Sequence, residues 1–395
     1  MSRLFSQKPL ASIVSAGCSK FGKRTGIMAR ELFVEAFEEA IARCKDPDIR
    51  SKIKIGIFGN FSEFFEHQAH VAPILADWLG MHNLPSLRVE NACASGSTAL
   101  RTGIMAIQSG IYDIVLVGGV EKMNNRTTPE VTEALMTASD VSVEQWSGLT
   151  FVGVFALMAT AHMHRYGTTE EQLAMVAVKN HRNAYYNPKA HMQKLITLED
   201  VLKSRVIAWP LKLYDCSLVT DGAACLILTK PEIAEKFTDV PIDIIGSGHA
   251  NDHSSIVEKE DITEIKGIRI AAREALEQAN LTINDIDVFE LHDCFTIAEI
   301  IEYEELGFTE KGKGGKLIEK GITDLNGEYP SNPSGGLKAK GHPVGATGIA
   351  QIYELYLQLR NEAEQRQIKG AKIGLAQNMG GSGLTHFVTI VKARS

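Results

Sequence analysis

A layered α/β fold, made of two similar halves with covered sheets, is the architecture this 395-residue chain predicts. Three observations carry that expectation. Apolar strand-like runs alternate with segments of helical period. The order of these runs in the opening third recurs after residue 239. Between the two lies a long polar insertion that holds six of the eleven Met residues.

In chain order, "ASIVSAG" reads as a strand, "ARELFVEAFEEAIARC" as a helix with apolar residues at i, i+3 and i+4, and "IKIGIFGN" as a second strand. "SGSTALRTGIMAIQSG" is a helix rich in small residues, and the unbroken apolar run of "DIVLVGGVE" suits a strand covered on both faces. From about Met123 to Val206 the chain reads as mixed helices and loops, such as "TTEEQLAMVAVKNHRNAYY". An insertion of that length at the C-terminal end of a strand usually covers a substrate. "LVTDGAACLILTKPEIAEKF" then returns to the first half as a strand leading into a helix. "VPIDIIGSG", "GIRIAAREALEQANL", "DIDVFELHDC", "GHPVGATGIAQIYELYLQL" and "AKIGLAQNMGGSG" repeat the opening order. The expected division is 1–122 with 207–238 for the first half, 123–206 for the insertion, and 239–395 for the second half.

Composition narrows the function classes. Hydrophobic residues at 44% and charged residues at 23% describe an ordinary globular protein. A net charge of −7 argues against a nucleic-acid surface and for a small-molecule ligand or a protein partner, with any anionic ligand needing a local basic patch. No run approaches the ~18 apolar residues of a spanning helix. The opening "MSRLFSQKPLASIVSAGCSKFG" is interrupted by Gln, Lys and Pro and does not read as a signal peptide, and "VKARS" is not a peroxisomal address. Six dispersed cysteines without a CxxC pair suit reduced thiols. A cytoplasmic protein is expected.

The chemistry concentrates in four stretches. In "VENACASGSTALRTG", Cys93 follows a strand and starts the small-residue helix, where free N–H groups and the dipole favour a thiolate. A buried inert cysteine is the alternative there. In "NPSGGLKAKGHPVGATG", His342 stands at the matching helix start of the second half, so pseudo-twofold halves would bring a cysteine and a histidine together as an activated nucleophile. "LHDCF" ends a strand on the same face and leaves Cys294 open as packing, metal ligand or second working thiol. "NMGGSG", from Asn378 to Gly383, is a glycine turn whose N–H groups suit a developing oxyanion. The histidine pairs in "EHQAH" and "AHMH" have metal-like spacing without further partners, and no phosphate-loop or dinucleotide motif is present.

In this order and over the whole chain, "NACASGS", "HDCF", "NPSGGLKAKGHPVGATG" and "NMGGSG" resemble the thiolase family, nearest its sterol-carrier-type and archaeal acetoacetyl-CoA branch. The resemblance implies two βαβαβαββ halves in an α/β/α/β/α core, with a loop domain over coenzyme A. It also implies Claisen chemistry through an acyl-cysteine: acetyl-CoA C-acetyltransferase activity, making acetoacetyl-CoA that feeds hydroxymethylglutaryl-CoA and mevalonate synthesis. Cys93 would carry the acyl group and His342 would deprotonate it. His292 would help form one oxyanion hole, and the backbone N–H groups of Cys93 and Gly380 the other. Many thiolases place a second cysteine at the start of the last glycine turn; here that residue is Asn378, and Cys294 would replace the missing acid/base thiol.

No metal or redox cofactor is implied. A basic patch of Lys179, His181 and Arg182, with Lys189 and Lys194, would meet the nucleotide end of CoA, or else be a solvated helix face. A homodimer or tetramer is expected, with a possible complex with hydroxymethylglutaryl-CoA synthase and a small zinc-ribbon/OB protein. Three other readings compete: a degradative 3-ketoacyl-CoA thiolase, a decarboxylating Cys-His-His ketosynthase, and a thiolase-like scaffold without catalysis.

Overall fold

The computed structural model describes residues 8–394; the first seven residues of the stretch read against a signal peptide, and Ser395, lie outside them. In the first half the elements are β1 (Ala11–Cys18), α1 (Ala29–Arg43), β2 (Gly56–Gly59), β3 (Ser86–Val89), α2 (Ser95–Gln108) and β4 (Ile114–Glu121). The insertion contains α3 (Phe151–Tyr166) and α4 (Glu170–Tyr185), and β5 (Gly222–Thr229) completes the half. The second half comprises β6 (Ile242–Asn251), α5 (Lys266–Ala279), β7 (Val288–Glu290), α6 (Thr296–Glu305), α7 (Thr347–Leu359), β8 (Ile373–Gly380) and β9 (Thr385–Ala393).

The nine strands run in the order β3-β2-β4-β5-β1-β6-β9-β8-β7. The two halves join where β1 pairs antiparallel with β6, Ala11 opposite Ile244 and Ile13 opposite Ile242. Helix α7 touches β1 and β5 of the first half and β7 and β8 of the second, and it packs on α2. Both halves therefore wrap one helix pair, with α1 and α5 on the outer faces. This is the expected α/β/α/β/α layering. All residues of α7 are buried, which explains a helix apolar on nearly every side.

The repeat extends to packing detail. α1 buries Leu32, Phe33, Ala36, Phe37 and Ala40, the stripe its spacing predicts. A side chain on Gly17 of β1 would run into the backbone of Ala36 and Ala40. Gly248 of β6 stands in the same relation to Ala271 and Ala275 of α5. Glycine on the strand and alanine on the helix let each outer layer sit close.

Three elements differ from expectation. β7 stops at Glu290 because the next two N–H groups leave the ladder: Leu291 donates to Asn332 Oδ1 at 2.7 Å and His292 to Glu302 Oε2 at 2.9 Å. The segment after β5 is a 3₁₀ turn, Pro231–Lys236. The strands Val206–Ala208 and Leu211–Lys212, not read from the sequence, pair only with each other, and the chain regains the large sheet at Gly222, within the stretch read as the return to the first half. Among the described residues, no helix is long and apolar enough to cross a membrane.

Candidate active site

The nucleophile turn is short and closes on itself. Between β3 and α2, Ala92–Ala94 forms a 3₁₀ turn in which Ala92 has a left-handed φ of 51°. Such a conformation in a residue with a Cβ persists only where its surroundings enforce it. Here Ser95 enforces it, accepting from Asn91 N at 2.9 Å and donating to Ala92 O at 2.7 Å. Cys93 sits at the apex, half-buried.

The matching turn of the second half carries His342. Gly341 has φ 116°, a conformation that only glycine adopts easily, and it delivers the ring to the same place. The hydroxyl of Thr347 donates to Pro343 O at 3.0 Å, so its lone pair accepts the His342 Nδ1 proton at 2.7 Å. Nε2 of His342 is left unprotonated and able to accept a proton.

His292 completes the cluster. The Cys93 sulfur and one ring nitrogen each of His292 and His342 all lie within 4.8 Å of one another. The two rings meet edge to face, 5.1 Å between centroids and 88° between planes. Cys294 is buried beside them. Its N–H donates to His292 O at 2.7 Å, its carbonyl accepts from Ser217 N at 2.9 Å, and ionisation of its thiol is opposed by burial and then by Cys93 and Glu302. The turn after β8 closes the site: the Gly381 N–H faces the Cys93 sulfur, and a side chain on Gly380 would lie 2.6 Å from Asn91 O.

Electrostatics overturn one expectation. The helix start predicts a lowered Cys93 pKa, but burial pushes the thiol up to about 12 despite the Gly381 N–H. Burial likewise pushes His342 down to about 3. Desolvation opposes the charged form of both groups. The resting pair is a thiol beside a neutral imidazole, poised for proton transfer during attack.

The structure does not bring the residues of the expected basic patch together on one exposed face. Lys179 is 2% exposed, ion-paired with Glu299, and donates to Ser331 O at 3.1 Å. His181 is buried against Lys194 O at 3.0 Å, and burial lowers its pKa to about 4. Arg182 pairs at the surface with Asp324, and Lys189 binds Cys18 O and Glu39. What α4 presents is a buried polar face. Asn180 donates to Asp293, Asn183 to Asn332 O at 3.0 Å, and Asn187, just past the helix, to Ser334 O at 2.8 Å. The insertion thus braces the loop that leads to His342.

Asp293 turns away from the site, accepting from Leu337 N at 2.6 Å and Lys338 N at 3.2 Å in that same loop. His162 of "AHMH" is held between Thr168 and Glu304. Residues not singled out in the sequence also shape the site. Glu121 accepts from Asn60, Phe61 N and Gly345 N, tying the two halves together, and burial raises it to about 8. Its signal was a carboxylate ending an apolar strand.

Family models agree with this geometry: residues 11–232 match the thiolase N-terminal domain and 248–393 the thiolase C-terminal domain-like family. The chain belongs to the thiolase family. It is 46% identical over 381 residues to an acetyl-CoA acetyltransferase of Methanothermobacter thermautotrophicus, covering 96% of this chain and 98% of that protein. It is 36% identical to sterol carrier protein 2 of Bos taurus, covering 99% of this thiolase and 74% of the relative. Among solved structures, the Ltp2–ChsH2(DUF35) aldolase superimposes with a TM-score of 0.85 at 25% identity, covering 98% of each chain. This thiolase is an acyltransferase.

Proposed function

We propose that this thiolase condenses two molecules of acetyl-CoA to acetoacetyl-CoA and free CoA, reversibly. The observation that carries the reading is the Cys93–His292–His342 cluster, supported by the acetyltransferase relative. Cys93 attacks the thioester carbonyl as its proton passes to Nε2 of His342, and the departing CoA thiolate takes that proton. Acetyl-Cys93 remains. The α-proton of the second acetyl-CoA goes to the Cys294 thiolate, whose own proton His342 holds meanwhile. The carbanion attacks acetyl-Cys93, and the released Cys93 sulfur recovers the proton from His342. His292 and the backbone N–H groups of Cys93 and Gly380 stabilise the thioester oxygens as they gain charge. Hydrogen bonds of this kind supply the charge stabilisation in this proposal, which calls on no metal or redox cofactor.

Supply of acetoacetyl-CoA for hydroxymethylglutaryl-CoA synthesis in the cytoplasm, by a homo-oligomer, completes the proposal. The ChsH2(DUF35) component named with the structural neighbour supports a small protein partner, which we propose to be of the zinc-ribbon/OB kind. Cleavage of 3-ketoacyl-CoA substrates of increasing length by free CoA tests the specificity. The expected result is a maximum kcat/KM at acetoacetyl-CoA; a maximum at long chains would establish the degradative alternative.

A further inference from the structure

The cluster of one thiol and two imidazoles poses a question of its own. A cysteine and two histidines within 4.8 Å are a donor set suited to zinc, and a nucleophile occupied by zinc cannot be acylated. What decides between donor and ligand is the proton on each ring.

For His292, Asn378 decides it. The Asn378 amide is fixed at both ends. Its Oδ1 accepts from Ser97 Oγ at 2.8 Å, and its Nδ2 lies 3.3 Å from Cys93 O, a carbonyl that can only accept. Nδ2 must therefore be the nitrogen, and it sits 2.8 Å from His292 Nδ1. An N–H aimed at Nδ1 requires a lone pair there, which puts the ring proton on Nε2. The socket for this amide is shaped by both small-residue helices: a side chain on Gly348, at the start of α7, would lie 2.6 Å from Asn378 Oδ1 and collide with Ser97 of α2.

We infer that Asn378 is a positioning residue that locks His292 as the Nε2–H tautomer, making it a hydrogen-bond donor and withholding it from divalent metal. Both nitrogens are then unfit as ligands, one occupied by the Asn378 N–H and the other protonated. Histidines that hold metals show the opposite arrangement, with the second nitrogen donating to a carboxylate or carbonyl. The two histidines of the site are thus opposite tautomers, His342 set by an acceptor hydroxyl and His292 by a donor amide.

The inference deepens the proposed oxyanion role of His292 and rests on that reading only for its catalytic consequence. Its test is made without turnover. In protein labelled with ring-¹⁵N histidine, long-range ¹H–¹⁵N spectra at neutral pH should show His292, assigned by its loss in His292→Gln, as the Nε2–H form. An Nδ1–H form, a mixture or an imidazolium would overturn the lock. Asn378→Asp should reverse the tautomer and tighten zinc binding by about 10–100-fold, the usual weight of a carboxylate behind a ligating histidine. Zinc competition with a chromophoric chelator measures this, and Cys93→Ser in the Asp background should remove the gain. Equal zinc affinity in the two proteins would contradict the inference; should Asn378→Asp not fold, the wild-type spectrum alone decides. An Nε2–H spectrum combined with undiminished acetoacetyl-CoA cleavage in His292→Ala would keep the lock and remove the oxyanion role.

Discussion

The two halves of this thiolase place a turn at the same position, before α2 and before α7, yet they support those turns in opposite ways. The turn bearing Cys93 is held mainly from within, by a left-handed Ala92 and the Ser95 hydroxyl, with Asn378 as its contact from the other half. The loop bearing His342 is held from outside, by Asp293 from "HDCF" and by Lys179, Asn183 and Asn187 from the insertion. A duplicated scaffold thus yields a stiff nucleophile and a base whose aim depends on the insertion. The insertion contributes to chemistry through that bracing, whatever it also contributes to substrate binding.

The largest effect comes from removing the self-supported side. Cys93→Ala should lower acetoacetyl-CoA cleavage on the order of 10⁶-fold, the scale seen when the nucleophile of a coupled catalytic set is deleted. A residual rate within tenfold of wild type, measured by thioester absorbance, would remove Cys93 from its role.

Removing His342 or Cys294 should each cost ~10²–10⁴ in turnover, the range of a general acid or base. They separate by stage. His342→Ala should slow formation of the acetyl-enzyme, whereas Cys294→Ala should form it normally and scarcely condense it. Near-normal turnover in Cys294→Ala would return that thiol to the apolar core around Phe295.

The pair's ionisation gives a pH test. Because burial raises the Cys93 thiol, its thiolate fraction should grow about tenfold per pH unit as pH rises. Iodoacetamide alkylation of the free protein should climb through pH 7–9 without a plateau. A plateau already reached at neutral pH would show a standing thiolate–imidazolium pair.

The external bracing predicts a stability effect. Lys179→Met should destabilise by about 3–5 kcal/mol, as breaking one side of a buried ion pair does, with KM for acyl-CoA unchanged. Arg182→Gln, at the surface, should cost no more than about 1 kcal/mol. Urea unfolding measures both, and a raised KM without destabilisation would restore the basic-patch reading. Gly348→Ala, which crowds Asn378 between the helix starts, should cost about 1–3 kcal/mol, read from the same curves.

Much of this was legible before any coordinates. The layers, the repeat and the meeting of Cys93 with His342 follow from glycine-rich helix starts at corresponding places in two halves. Gly96 and Gly348 lie where the two helix starts touch, a contact that only small residues permit. What the sequence could not show had one physical cause. "VKNHRN" looks basic in sequence, but Lys179, Asn180, Asn183 and Asn187 lie near one helical face, and that face is buried against carbonyls and carboxylates. Charge is visible in sequence; the partner that neutralises it is distant in the chain. The raised Cys93 pKa escaped for the same reason, since a helix start is a local feature and desolvation is not. Asn378 was visible as a departure from the cysteine of other thiolases, but its work depends on Ser97, Cys93 and His292, which only the fold assembles.

The central claim is that Cys93 carries the acyl group through the chemistry. Brief exposure of Cys294→Ala to acetyl-CoA, acid quench and peptide mass spectrometry tests it most directly, because the variant should stop at that stage. An acetyl group on the peptide containing Cys93, at close to one per chain, is the predicted result. An unmodified Cys93 with the label on another residue, or no label at all, would contradict the account.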